Sequence, residues 1–194
     1  LAVCERLPAA DGEASESISV RVYPALVERT HPLASVHGAN NAVFVQAEAA
    51  GDLMFYGAGA GGVQTASAVL GDVVSAARRH IAGGVGVGES TRANLPTVPI
   101  GRVITRYQIT LEVDDQPGVL ATVAGILSEG RVSIATVEQT TIEPDAENPA
   151  GSGSARLVIG THQAREQDLS ETVERLAASG VVERAVSVLR VEGN

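Results

Sequence analysis

Lysine is absent from this sequence: the 14 residues counted as Lys plus Arg are all arginine. For the chain by itself, that excludes any mechanism built on a lysine amine. Tryptophan is also absent, and aromatics make up only 3% of the residues. The core therefore has to be assembled from Val, Leu, Ile and Ala, as in a sheet covered by helices. The single cysteine, Cys4, excludes an internal disulfide and fits a reducing cytoplasm. There is no apolar run long enough to span a bilayer and no signal-peptide pattern. Net positive charge is missing too. The formal charge is −9, with acidic residues spread along the chain, so neither nucleic acid nor an anionic membrane is an expected partner.

What is present is a 194-residue chain that is 44% hydrophobic, enough for one large domain or two small ones. It opens at Leu1 inside the apolar run Leu1-Ala2-Val3, which reads as a cut end. The informative stretch is Asp114-Asp115-Gln116-Pro117-Gly118-Val119-Leu120. Before it, Tyr107 to Val113 places apolar residues at every second position, the pattern of a strand with one buried face. After it, Val119, Leu120, Val123, Ile126 and Leu127 recur at helical spacing. The expectation is a strand, a turn, and a helix that begins on Pro117, where a missing N–H does no harm. Gly118 leaves the backbone open to close approach, and the free N–H groups and helix dipole favour a carboxylate. Asp114 or Asp115 either receives an ammonium group or caps the helix.

Upstream, Leu1–Leu7 reads as a strand and Pro8–Ser17 as a loop. Ile18–Val22 reads as a strand ended by Tyr23-Pro24, and His31–Ala34 as a short helix or turn. Asn40–Glu48 and Leu53–Tyr56 read as a hairpin. A glycine run, Gly57 to Gly62, leads into a helix, Thr65–His80, with Ala66, Val69, Val73 and Ala77 as its apolar stripe. The match of Gly57, Gly59 and Gly62 to G-x-G-x-x-G is weak without a parallel strand after the helix, so a free-standing dinucleotide-binding fold is rejected. His31, His37 and His80 have no metal-ligand spacing, and no metal is expected. The glycine-rich stretch 83–103 reads as a linker. Beyond it come strand 106–113, helix 117–129, strands 132–142 and 154–161, helix 165–178 and strand 181–191. A polar loop, 143–153, joins the middle strands. Leu169, Val173 and Leu176, with Val182, Val186, Val188 and Val191, are the expected inward residues. The order βαββαβ is the ferredoxin-like plan, whose uncovered face or edge invites a second copy.

Two resemblances follow from these residues. Asp115-Gln116-Pro117-Gly118-Val119-Leu120 followed by Val132-Ser133-Ile134-Ala135 resembles the start of an ACT domain. His31-Pro32-Leu33-Ala34, Gly38-Ala39-Asn40-Asn41-Ala42-Val43, Tyr56-Gly57-Ala58-Gly59-Ala60-Gly61 and Thr65 to Asp72 together resemble the end of the catalytic region of homoserine dehydrogenase. The implied class is α+β: a partial mixed or antiparallel sheet with helices over residues 1–82, a linker over 83–103, and a ferredoxin-like ACT domain over 104–194. The resemblance implies a parent enzyme that interconverts homoserine and aspartate semialdehyde with NAD(P), its catalytic lysine lying upstream. It implies that Gly57, Gly59, Gly61 and Thr65 lie beside the cofactor, with none expected to bind this chain alone. For the ACT domain it implies a homodimer or higher homo-oligomer that binds an amino-acid effector, threonine first, with isoleucine or none as alternatives. The implied effector residues are Asp115, Gln116, Gly118, Val119, Leu120, Ser133 and Ile134, the last two from a partner copy. The competing reading is a stand-alone ACT module for binding or dimerisation, with no catalytic role.

Overall fold

A computed structural model describes residues 1–9, 15–84, 94–142 and 153–193. In chain order the strands and helices are β1 (Ala2–Leu7), β2 (Ser17–Val22), β3 (Ala25–Val27), β4 (Asn40–Ala47), β5 (Gly51–Ala58), α1 (Gly62–Ile81), β6 (Ile104–Asp114), α2 (Val119–Glu129), β7 (Ile134–Thr141), β8 (Ser154–Thr161), β9 (Ala164–Arg165), α3 (Glu166–Ala177) and β10 (Val182–Glu192). Short 3-10 turns occupy Pro32–Ser35 and Ile100–Arg102. The chain separates into two compact units, Leu1–Leu26 with Leu95–Asn194, and Val27–Asn94.

The larger unit is built on β6. Its alternating residues Tyr107, Ile109, Leu111 and Val113 are buried and join Ala155, Leu157 and Ile159 of β8. Val123 and Leu127 of α2 and Leu169 and Leu176 of α3 complete the same cluster, so both helices lie on one face of the sheet. Burying each such side chain contributes about 1.5–3 kcal/mol. The strand order is β3-β10-β6-β8-β7, with β9 pairing off the path to β6. The pairs β10–β6, β6–β8 and β8–β7 are antiparallel. That is the expected βαββαβ plan, extended at its β10 edge by the three residues of β3.

Some expectations need correction. The helix does not start on Pro117. Gly118 is its N-cap at φ 97°, and α2 begins at Val119. Val186 is 42% exposed rather than buried, because register shifts between Val182 and Arg184 and between Ala185 and Ser187 slip the alternation of β10. Spatial compactness is a separate matter from the expected boundary at 83–103: residues 1–26 pack with the C-terminal unit. The Pro96 carbonyl accepts from Ile18 N–H at 2.9 Å, and Val98 N–H donates to the Ile18 carbonyl at 2.8 Å. Residues 85–93 of the expected linker and 143–152 of the expected loop lie outside the described residues.

The faces of β2 are the reverse of the usual order. Ser17, Ser19 and Arg21 are buried, whereas Val20 is 60% and Val22 78% exposed. In the smaller unit β4 and β5 pair in antiparallel register from Asn40↔Ala58 to Ala47↔Gly51. The helix α1 has no buried residue, so its apolar stripe faces outward.

On the sheet face away from the helices, Glu112 lies between two arginines, at 2.7 Å from Arg184 and 3.3 Å from Arg156. The hydrogen bond from Arg184, then that from Arg156, holds its carboxyl below the ordinary carboxylate range despite partial burial. A depressed folded value means that the stabilisation is full above the unfolded value of about 4.3 and is lost as pH falls through the lower folded value. Both arginines are half exposed or more, so screening limits the effect to about 1 kcal/mol. Glu112→Gln should therefore lower the melting temperature by about 2–4 °C at pH 7. The gap from the unmodified chain should close in thermal melts below the folded value. A gap unchanged down the acid range would show that the charge is not responsible.

Candidate effector site and glycine loop

The turn after β6 presents unpaired backbone donors. Gln116 N–H donates to the Asp114 carbonyl at 3.0 Å, and Asp115 N–H to the Gly153 carbonyl at 2.5 Å. Val119 N–H makes only a long bond to the Gln116 carbonyl, at 3.4 Å. Among the described residues, the N–H groups of Gly118, Leu120 and Ala121 have no backbone acceptor. The first turn of any helix leaves such donors free, and no side chain caps this one. Three donors at the positive end of α2 form a place for an anionic group. Leu120 beside them is 43% exposed.

Asp115 does not cap α2. Its Oδ1 accepts from Gln139 Nε2 at 3.3 Å, across 24 residues to β7. Sequence reasoning missed Gln139, because this pairing depends on which strands become neighbours. Ser133 and Ile134 lie elsewhere in the same chain. Ile134 pairs with Thr161 at one end of β7, and Thr141 pairs with Ala155 at the other. Ala155 pairs with Val113, next to the loop. The full length of β7, roughly 23 Å at 3.3 Å per residue, therefore separates Ser133 and Ile134 from Asp115–Leu120. All of β7 after Ile134 is exposed, and no further strand pairs with it among the described residues.

In the smaller unit Gly61 bonds Thr65, while Gly57 pairs with Asn41 in the β4–β5 hairpin and Gly59 bonds Ala39. Gly59 N–H donates to the Ala39 carbonyl at 2.8 Å, and Thr65 N–H to the Gly61 carbonyl at 3.0 Å. At Gly61 the positive φ is the reason for glycine, and the atoms nearest a Cβ at positions 59 and 61 belong to side chains that can turn away. A Cβ on Gly59 would lie 2.0 Å from Asn41 Nδ2, and one on Gly61, which has φ 141°, would lie 2.2 Å from Gln64 Oε1. Asn41 is a second residue the motif did not single out, although it stands in register with Gly57. His31 Nδ1 accepts from Leu33 N–H at 3.1 Å, and the ring meets Phe44 edge-on. Among the described residues no three His, Cys, Asp or Glu side chains gather to hold a metal. No helix there is long and apolar enough to cross a membrane.

Four antiparallel strands in the order β10-β6-β8-β7, with two helices on one face and a loop of free donors at the first βα turn, define a ferredoxin-like domain. Residues 107–180 match the ACT domain family model. Residues 3–74 match the family model of homoserine dehydrogenase, so the chain carries a homoserine dehydrogenase segment followed by an ACT domain. It is 52% identical over 193 residues to homoserine dehydrogenase of Mycobacterium leprae, covering 100% of this chain and 43% of that protein. It is 50% identical over 192 residues to the Corynebacterium glutamicum enzyme, covering 99% and 41%. Among solved structures, a homoserine dehydrogenase from Thiobacillus denitrificans superimposes with a TM-score of 0.76 at 31% identity, over 91% of this chain and 39% of that one. The chain thus spans about two fifths of the length of these relatives.

Proposed function

We propose that this chain is the C-terminal, regulatory portion of a cytoplasmic NAD(P)-dependent homoserine dehydrogenase, and that its ACT domain binds threonine for feedback inhibition. The observation that carries the reading is the set of free N–H groups at Gly118, Leu120 and Ala121 inside a domain that matches the ACT family. An amino-acid carboxylate fits those donors, with Asp115 and Gln116 beside them. The exposed edge of β7 gives a second copy its place. Antiparallel pairing of two β7 strands about a twofold brings Ser133 and Ile134 of the partner subunit toward Asp115–Leu120. That pairing is how residues separated by a strand length in one chain would share one site.

The parent enzyme would oxidise homoserine to aspartate semialdehyde, and the reverse. The nicotinamide group would supply the hydride chemistry. The part of this chain would be to place Gly57, Gly59 and Gly61 and the Thr65 hydroxyl beside the cofactor. With no lysine in the sequence and about two fifths of the relatives' length, the 194 residues alone should give no turnover of homoserine with NAD or NADP. Calorimetry on the same chain should show threonine binding, with isoleucine as the comparison ligand. Sedimentation should show a dimer. Turnover by the isolated chain, or absence of any amino-acid binding, would overturn the reading.

A further inference from the structure

The homoserine dehydrogenase match includes the hairpin β1–β2, yet that hairpin belongs to the same compact unit as the ACT sheet. One side-chain network joins them. Glu166, at the first residue of α3 and 6% exposed, accepts from the Tyr107 hydroxyl at 2.8 Å and from Arg190 Nε at 3.3 Å. The Arg190 guanidinium lies 4.4 Å from the ring centre of Tyr23 and 5.5 Å from that of Tyr107. The Tyr23 hydroxyl donates to Glu192 and accepts from Arg21 Nε at 2.7 Å. Arg21, 7% exposed, also reaches Glu5 at 3.0 Å, Ser19 Oγ at 2.9 Å and Glu192 at 3.4 Å.

This arrangement explains why β2 turns its polar face inward. Burial first, and then the bonds to carboxylates, raises the hydroxyl pKa of both Tyr23 and Tyr107, so both are neutral donors. Among the described residues, no buried side-chain N or O lacks a partner. Buried ion networks rarely add net stability over an apolar packing, but losing one partner destabilises them strongly. Arginine in a stacked, forked setting is also geometrically demanding. A network of this kind admits one relative position of hairpin and sheet and penalises small displacements.

We infer that the Tyr107–Glu166–Arg190–Tyr23–Glu192–Arg21 network is the seam that passes the state of the effector domain to the homoserine dehydrogenase segment. Arg190 and Glu192 lie on β10, which pairs with β6, the strand that leads into the effector loop. Hairpin and ACT sheet move as one body, and the displacement an effector causes reaches the hairpin through β10. The inference rests on the ACT domain being the effector domain.

The test uses a full-length homoserine dehydrogenase carrying this sequence, unmodified and as Tyr23→Phe, Glu192→Gln and Arg190→Met. Threonine affinity should stay within about threefold by calorimetry, while the coupling between threonine and turnover falls by about tenfold. Hydrogen exchange should speed up in β1 and β2 and stay slow in β6 and β8 in each variant. The exchange readout covers Arg190→Met if it weakens the fold, because general unfolding would speed β6 and β8 as well. Inhibition unchanged in Tyr23→Phe and Glu192→Gln, or hairpin exchange unchanged, would overturn the seam. An unmodified enzyme that binds no threonine overturns the effector reading itself, which calorimetry reports separately from the exchange.

Discussion

Gly118→Asp should weaken threonine binding at least about fivefold more than Gly118→Asn, although both should destabilise the fold equally. Gly118 sits at φ 97° with nothing within 4 Å of where a Cβ would go. A side chain there meets no clash, but the backbone is strained by about 1–2 kcal/mol. Asn and Asp tolerate the left-handed region better than other residues and have the same shape, so their strain is shared and cancels in the comparison. What differs is charge. The free N–H groups of Gly118, Leu120 and Ala121 would hold the ligand carboxylate. Each charge-assisted bond is worth roughly 1.5–3 kcal/mol, with roughly 0.3–1 more from the helix dipole. A second carboxylate near 4 Å would cost about 1–4 kcal/mol depending on the local dielectric, or roughly 5- to 1,000-fold in Kd. Calorimetry gives the affinities and thermal melts give the shared strain. Equal threonine affinity in the two variants would remove the carboxylate from this loop.

The alternation of Tyr107–Val113 and the helical spacing after it are local patterns with a strong period. They are enough to read β6, α2 and the turn between them. The βαββαβ order was legible for the same reason, and so was the β4–β5 hairpin, whose short turn permits one pairing. The start of α2 was misread because proline at a first helical position is a sound local rule. Here the positive φ of Gly118 overrides it and moves the start to Val119. β3 and β9 have three and two residues, too few for any period to register. They exist because a neighbouring strand offers them partners.

The candidate site residues divide in the same way. Gly118 and Gln116 were visible because the turn is contiguous. Gln139 was not, because its bond to Asp115 needs the β6-β8-β7 strand order to be known first. The seam left one trace in the sequence. Arg190 falls between Val188 and Glu192 at the two-residue period of β10, two residues from a valine that packs on the core. An arginine on that side has to find a buried carboxylate, and only the fold shows that the carboxylate is Glu166.

Hydrogen exchange should divide the chain at residue 27. In residues 27–84 none is buried, and Phe55, Val63, Leu70 and Ile81 are each more than 60% exposed. A 20-residue helix without a packed face holds its hydrogen bonds only marginally in water, so the amides of α1 and of the β4–β5 hairpin should exchange within about tenfold of unfolded rates. In the other unit Ile109, Leu111, Leu157 and Ile159 are at most 1% exposed. A global stability near the low end of the usual range, about 5 kcal/mol, corresponds to protection on the order of 10³–10⁴ there. The hairpin β1–β2 should follow the protected unit, because Arg21 and Tyr23 tie it in. The weak region is then 27–84, not all of the segment that precedes the ACT domain. The same contrast gives Leu157→Ala a separable effect. It should remove about 2–5 kcal/mol from the larger unit and leave exchange in α1 unchanged. Protection of α1 comparable to that of β6 in the isolated chain would mean that a second copy covers its apolar stripe, and protection that appears only in a longer enzyme would assign that cover to the rest of the polypeptide.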